Sequence, residues 1–187
     1  MLLLLLLLLL RVVGLLPLTS SNSSFSGGIA YQGGALYTWM WGDLLVEGCT
    51  FTNNSATGQT HHTGGAIFTD RGSAIIRDSA FTKNFANDSG GAIMGWSARG
   101  SCKNTTVPSV KHGVCMPSLP CVCQNVSISN CSFSANAAKK NGGAIYNQWS
   151  TFAIADSVCA GNTAGGKSNS VKTDGAVTNT SHSPSCS

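Results

Sequence analysis

Residues 64–93 read GGAIFTDRGSAIIRDSAFTKNFANDSGGAI, a stretch that opens and closes on the same four residues. Between the two copies of Gly-Gly-Ala-Ile lies a second motif, Phe81 three residues before Asn84, with Ala86 two places further on. Working outward, the first motif recurs as Gly33-Gly34-Ala35-Leu36 and Gly142-Gly143-Ala144-Ile145, with Asp174-Gly175-Ala176-Val177 as a degenerate last copy. The second recurs as Phe51/Asn54 with Ala56 and Phe133/Asn136 with Ala138, and as the variant Cys159/Asn162 with Ala164. The copies of the first motif start at 33, 64, 90, 142 and 174, so one gap is about twice the others. A fixed period of this length marks a stacked repeat rather than a folded-over globule.

Each repeat carries two strand-like stretches, one opening at the paired glycines and one just before the Phe. The second aligns as Leu44-Leu45-Val46-Glu47, Ala74-Ile75-Ile76-Arg77, Val126-Ser127-Ile128-Ser129 and Phe152-Ala153-Ile154-Ala155. First and third positions are always apolar, the period of a strand with one buried side. A turn-type column follows, Gly48, Asp78, Asn130 and Asp156, and then Cys49, Ser79, Cys131 and Ser157. Short strands at this period, without helical patterning, predict an all-β, right-handed, single-stranded parallel β-helix of about five rungs with a Cys-rich inserted loop. Rungs stacked about 4.8 Å apart place Phe51, Phe81 and Phe133 in one ladder. They place Asn54, Asn84, Asn136 and Asn162 in another, where each amide can bond the next. Glycines in the paired motif allow turns and close backbone approach. Cys49 and Cys131 then stand two rungs apart with Ser79 between them, too far for a disulfide, and are expected as separate buried thiols. A weaker pairing is Cys159 with Cys186.

The alternation of Gly-Gly-Ala-Ile with Phe-x-x-Asn resembles the repeats of the polymorphic outer membrane proteins, which are bacterial autotransporter adhesins. It also resembles right-handed β-helix proteins of the pectin-lyase-like superfamily in secreted proteins of algae and protists. The likeness spans about residues 25–178. It implies a right-handed parallel β-helix and, for the bacterial members, surface display and adhesion. No carboxy-terminal stretch resembles a membrane β-barrel, so membrane attachment is expected only through an uncleaved amino-terminal segment.

Composition narrows the field further. Only 10% of the 187 residues are charged, against about 25% in ordinary globular domains, which argues against a helical bundle or coiled coil. The net charge of +4 is scattered, with no basic cluster to read as a nucleic-acid face. Residues 1–20, led by a leucine run from Leu2 to Leu10, read as a signal peptide or signal anchor. Residues 21–178 form the repeat domain and 179–187 a flexible tail. Eight cysteines suit an oxidising compartment, extracellular or at the cell surface. Acceptor sequons begin at Asn22, Asn53, Asn87, Asn104, Asn125, Asn130 and Asn179. The repeat is lost over 97–124, where Cys102, Cys115, Cys121 and Cys123 suggest a disulfide-stapled loop, three pairings being open. A zinc site using them with His112 is the alternative, without a CxxC knuckle. The wide gap also leaves room for a degraded rung.

The functional candidates lie along one column of the glycine-led strands. Trp39, Asp70, Trp96 and Gln148 share a position, with Arg71 and Trp149 beside them. Exposed aromatic rings along a β-helix face can stack on sugars, with Asp70 and Arg71 as polar contacts; packing against loops or the insertion is the alternative. Expected partners are therefore glycans or cell-surface receptors in an adhesive or structural role, and no cofactor or metal is expected. A second reading is a polysaccharide lyase or hydrolase of the same fold. Asp78 and Asp156 share a turn column at a separation near that of an inverting carboxylate pair, though Asp is ordinary turn chemistry. His61-His62 reads as a solvated loop. A short coil with two ends to cap also leaves open a fragment of a larger surface protein.

Overall fold

The computed structural model describes residues 17–39, 42–58, 63–96, 125–148, 150–174, 177–179 and 186. The leucine run, His61-His62, the four cysteines of the insertion, Asn104, His112 and Trp149 lie outside these residues. The chain winds as a coil whose corresponding strands stack into four sheets. Each turn holds four short strands instead of the two expected. The first face is built from Leu18–Ser21, Leu44–Glu47, Ala74–Arg77, Asn125–Ser129, Thr151–Ala155 and Val177–Asn179. The second consists of Ser24–Ser26, Thr50–Thr52, Ala80–Thr82, Ser132–Ser134 and Val158–Ala160. The third consists of the two-residue strands Ile29–Ala30, Ser55–Ala56, Phe85–Ala86, Ala137–Ala138 and Thr163–Ala164. The fourth consists of Leu36–Thr38, Ile67–Asp70, Ile93–Trp96, Ile145–Gln148 and Val171–Thr173. Rungs pair in parallel throughout, and the exception is Lys167–Ser168, which folds back antiparallel on Thr163–Ala164. This is a parallel β-helix of five rungs, with the first-face strand of a sixth. The first strand begins at Leu18, inside the segment read as a leader.

The stacking follows the columns of the sequence. Val46 pairs with Ile76, Ile76 with Ile128 and Ile128 with Ile154. Direct pairing of Ala74–Arg77 with Asn125–Ser129 and of Ile93–Trp96 with Ile145–Gln148 rules out a hidden rung in the 97–124 gap. The insertion leaves the coil between the fourth and first faces and adds no strand to the stack at that point.

Two further columns hold the interior. Phe25, Phe51, Phe81 and Phe133 stack with ring centroids 4.8, 4.7 and 5.0 Å apart and nearly parallel planes. Each such pair adds about 0.5–1.5 kcal/mol to the area its rings bury. Cys159 continues the column on Phe133. Beside it runs the Asn ladder. The Asn54 backbone N–H and Nδ2 both donate to Asn84 Oδ1 at 3.0 Å, and Asn84 repeats this toward Asn136, and Asn136 toward Asn162. The second Nδ2 proton of Asn84 goes back to the Phe51 carbonyl at 3.0 Å. Asn136 likewise donates to the Phe81 carbonyl and Asn162 to that of Phe133. Phe-x-x-Asn is thus one device: the ring fills the core while the amide of the next rung satisfies that ring residue's own carbonyl.

The corners explain the turn residues. Between first and second faces a single left-handed residue turns the chain: Asn22, Gly48, Asp78, Asn130 and Asp156 have φ between 47° and 62°. The next residue points inward, and Ser79 Oγ accepts the Cys49 N–H at 3.1 Å while Ser157 Oγ accepts that of Cys131 at 3.1 Å. Cys49 and Cys131 are buried and unbonded to each other, as their spacing requires. In the Gly-Gly pair the first glycine is left-handed and the second has no room for a side chain. A Cβ on Gly91 would lie 1.9 Å from the Gly143 carbonyl oxygen.

Candidate functional site

Along the fourth face the alternation of side chains is broken in an informative way. Ile67, Ile93 and Ile145 point into the core and are fully buried. Phe68, Met94 and Tyr146, on the opposite side of the same strands, are also buried, and form a second apolar cluster with Trp96 packed against it. Tyr37 stacks on Phe68 at 5.4 Å and stays 43% exposed. The Tyr146 hydroxyl donates to the Asp174 carboxylate. Burial first, and then that bond, push its pKa well above the ordinary phenol value.

The predicted column is real as a column. Asp70 pairs with Trp96 and Trp96 with Gln148, and Trp39 follows Thr38, which pairs with Thr69. It is not a row of exposed side chains. Trp39 is 62% exposed, whereas Asp70 is only 5% exposed, and Trp96 and Gln148 are half-buried. The expected exposed face is therefore narrower than the sequence suggested, because the neighbouring column is covered.

Asp70, Arg71, Trp96 and Trp39 are joined. Arg71 Nε donates to Asp70 Oδ1 at 3.0 Å, and the Trp39 indole also hydrogen-bonds Asp70. Burial raises the Asp70 pKa above the usual carboxylate value, with Arg71 and Trp39 opposing the shift. Arg71 carries a left-handed backbone, φ 57°, a conformation that costs a non-glycine residue free energy. Its N–H is held by the Trp96 carbonyl at 2.9 Å. Its guanidinium lies 5.2 Å from the centre of the Trp96 ring, a cation–π contact. The carboxylate and the ring thus hold the guanidinium in place. The Trp39 ring, linked to the same Asp70 carboxyl, lies open to solvent. Gln148 Oε1 is buried without a hydrogen-bond partner among the described residues.

Elsewhere the candidates are dispersed. Asn22, Asn53, Asn125 and Asn130 are exposed and Asn87 is half-buried. The Asn130 amide donates to Asp78 at 2.6 Å, so the Asp78–Asn130–Asp156 column is bound up in corner geometry. Asn179 lies in the last first-face strand. The guess of a Cys159–Cys186 disulfide holds, with Cα atoms 5.0 Å apart. Sequence reasoning missed the pair of Asp88 and Lys140. Asp88 is buried, accepts from Lys140 Nζ and takes a 2.7 Å bond from Ser89 Oγ. Its position two residues before the paired glycines was the available signal.

Among protein families, the Chlamydia polymorphic membrane protein repeat matches residues 48–70, 78–95 and 130–148. Rungs two to four are thus similar to polymorphic membrane protein repeats. Each match starts at the left-handed corner residue and runs through the Phe and Asn ladders into the fourth face, ending at Asp70, Gly95 and Gln148, so the repeat describes three faces of the coil and leaves the first-face strand outside. In the first match its last residue is Asp70. The outer rungs depart from the repeat where they end the ladders: Gly28 stands in the Asn column of rung one and Cys159 in the Phe column of rung five. No curated protein and no solved structure gives a significant match.

Proposed function

We propose that this chain is a secreted or cell-surface adhesive scaffold that contacts glycans through the platform of Trp39, Arg71 and Trp96. The observation that carries this reading is the exposed Trp39 ring at Asp70, the carboxylate that together with the Trp96 ring holds the Arg71 guanidinium. A sugar needs an apolar face for its C–H groups and donors for its hydroxyl oxygens, and this arrangement offers both. Asp70 acts as the holder of Arg71, since its own carboxylate is covered. Gln148, paired with Trp96, extends the same edge. The name of the matched repeat family supports a location at a membrane surface, and the eight cysteines agree with an oxidising compartment.

The test is binding to a glycan panel by the full chain and by Trp39→Ala and Arg71→Ala. Trp39 is largely exposed, so its truncation leaves the core intact. The expected result is loss of binding in both variants, with unchanged thermal unfolding for Trp39→Ala. Binding that survives both changes, or no binding by the parent chain, overturns the proposal. Substitutions in Phe-x-x-Asn are uninformative here, because those residues hold the coil together.

A further inference from the structure

We propose that Asp70 is an acid-sensitive latch, whose protonation releases Arg71 and Trp39 and so switches off the platform they form with Trp96. The inference rests on the glycan reading of that platform and adds its regulation. Three rungs meet at this one carboxylate. Trp39 of rung one, Asp70 of rung two and Trp96 of rung three lie on the outward side of the fourth face. Arg71 Nε donates to Asp70 Oδ1 at 3.0 Å, and the Trp39 indole bonds the same carboxyl group. The Trp96 ring, packed against Phe68, Met94 and Tyr146, lies 5.2 Å from the guanidinium carbon. Removing the carboxylate charge therefore loosens contacts on two rungs at once.

The holds on Arg71 differ in how they depend on charge. The ion pair and its charge-assisted hydrogen bond weaken when the carboxyl gains a proton, and the cation–π contact alone remains. Arg71 also sits in a left-handed conformation, φ 57°, which a non-glycine residue keeps only while its surroundings over-determine it. Burial brings the switch into reach. Asp70 is 5% exposed, and desolvation disfavours its charged form. Arg71 and Trp39 oppose that shift without cancelling it, so the acid form appears at a higher pH than in an exposed aspartate. Among the described residues, the other titratable group coupled to Asp70 is Tyr37, which stacks on Phe68. Burial, and then the Asp70 charge, raise its pKa, so it stays neutral wherever Asp70 titrates. The switch is a one-proton event. Binding is full above the folded pKa of Asp70 and falls as pH drops through it.

The test follows the full chain by two-dimensional NMR, reading the Trp39 indole N–H and the Arg71 Nε–H from neutral pH down through the carboxylate range. Loss of a signal in Trp39→Phe or Arg71→Lys assigns it. The expected result is that both signals shift along one titration curve, with a midpoint above the ordinary aspartate value of about 3.9. In Asp70→Asn neither should move. Affinity for the panel glycan bound most tightly at neutral pH should fall along the same curve, approaching about tenfold per pH unit below the midpoint. Circular dichroism should stay constant over the range. Signals that do not move, or that still move in Asp70→Asn, overturn the proposal. An affinity that ignores the curve overturns it too, as does a loss of circular dichroism at the same midpoint, which makes the event unfolding. The parent titration decides the matter even where Asp70→Asn does not fold. A chain that binds no glycan at any pH yet shows the curve supports the latch and overturns the glycan reading alone.

Discussion

The two ends of the coil solve the same problem differently. Rung five ends in a folded-back strand and a disulfide whose Cys186 is 2% exposed and part of the core. Cys186 sits where another ring would have stacked, so a covalent contact replaces the missing neighbour. Rung one has no such device among the described residues: Phe25 has Phe51 on one side and only partial cover on the other. A repeat supplies each rung with its neighbour's contacts but cannot supply its own termination. The ends therefore need non-repeat chemistry, and among the described residues only one has it.

The largest expected effect separates middle from end. Phe81→Ala removes a fully buried ring stacked on both faces and should cost about 3–5 kcal/mol in denaturant unfolding. Phe25→Ala, stacked on one face only, should cost clearly less; equal losses would mean that the first rung is not an open end. Next, Cys186→Ser should destabilise by about 2–4 kcal/mol. Hydrogen exchange should then rise in rung five first, and uniform loosening would contradict a local cap. Third, Asn84→Ala leaves the buried Asn54 N–H without its acceptor and removes the amide bond to the Phe51 carbonyl, at about 1–3 kcal/mol for the buried group left unpaired. The same change at Asn162, nearer the end, should cost less.

The smallest effect is in pH. The folded Asp70 has a raised pKa, so the folded state holds its proton more tightly than the unfolded state does. Its contribution to stability is therefore greatest below the unfolded value and falls as pH rises to the folded one. Asp70→Asn should flatten that part of the melting profile. An unchanged profile would show that Asp70 does not titrate differently on folding. In the same folded chain the Cys131 thiol, pushed up to about 11 by burial, should resist alkylation near pH 8. Unfolding should expose it to reagent.

The long-range plan was legible because stacking copies it into sequence. Phe81 and Asn84 recur at fixed intervals, and each column of the repeat becomes one ladder of the coil. Strands of two or three residues escaped notice, as with Thr50–Thr52 and Ser55–Ala56, because so short a piece has no period to read. The candidate site was half legible. The alignment placed Trp39, Asp70 and Trp96 together, but not how deep each would lie. Burial of Phe68, Met94 and Tyr146 on the outward side depends on what covers them, and no pattern within their own strands reports that. The left-handed Arg71 was likewise invisible, since Arg carries no turn signature of its own.

The left-handed corners carry one more consequence. Between first and second faces, and again between second and third, the described rungs are joined by two residues every time. The links from third to fourth face and from fourth back to first vary, and the latter carries the 97–124 segment. Change in chain length is thus confined to half of the perimeter. New loops can be added there without moving a single ladder, and those at the fourth-to-first corner emerge next to Arg71. The coil keeps one flank constant and leaves the other free to diversify, and diversification at that corner alters what surrounds the exposed Trp39 while leaving the fold as it was.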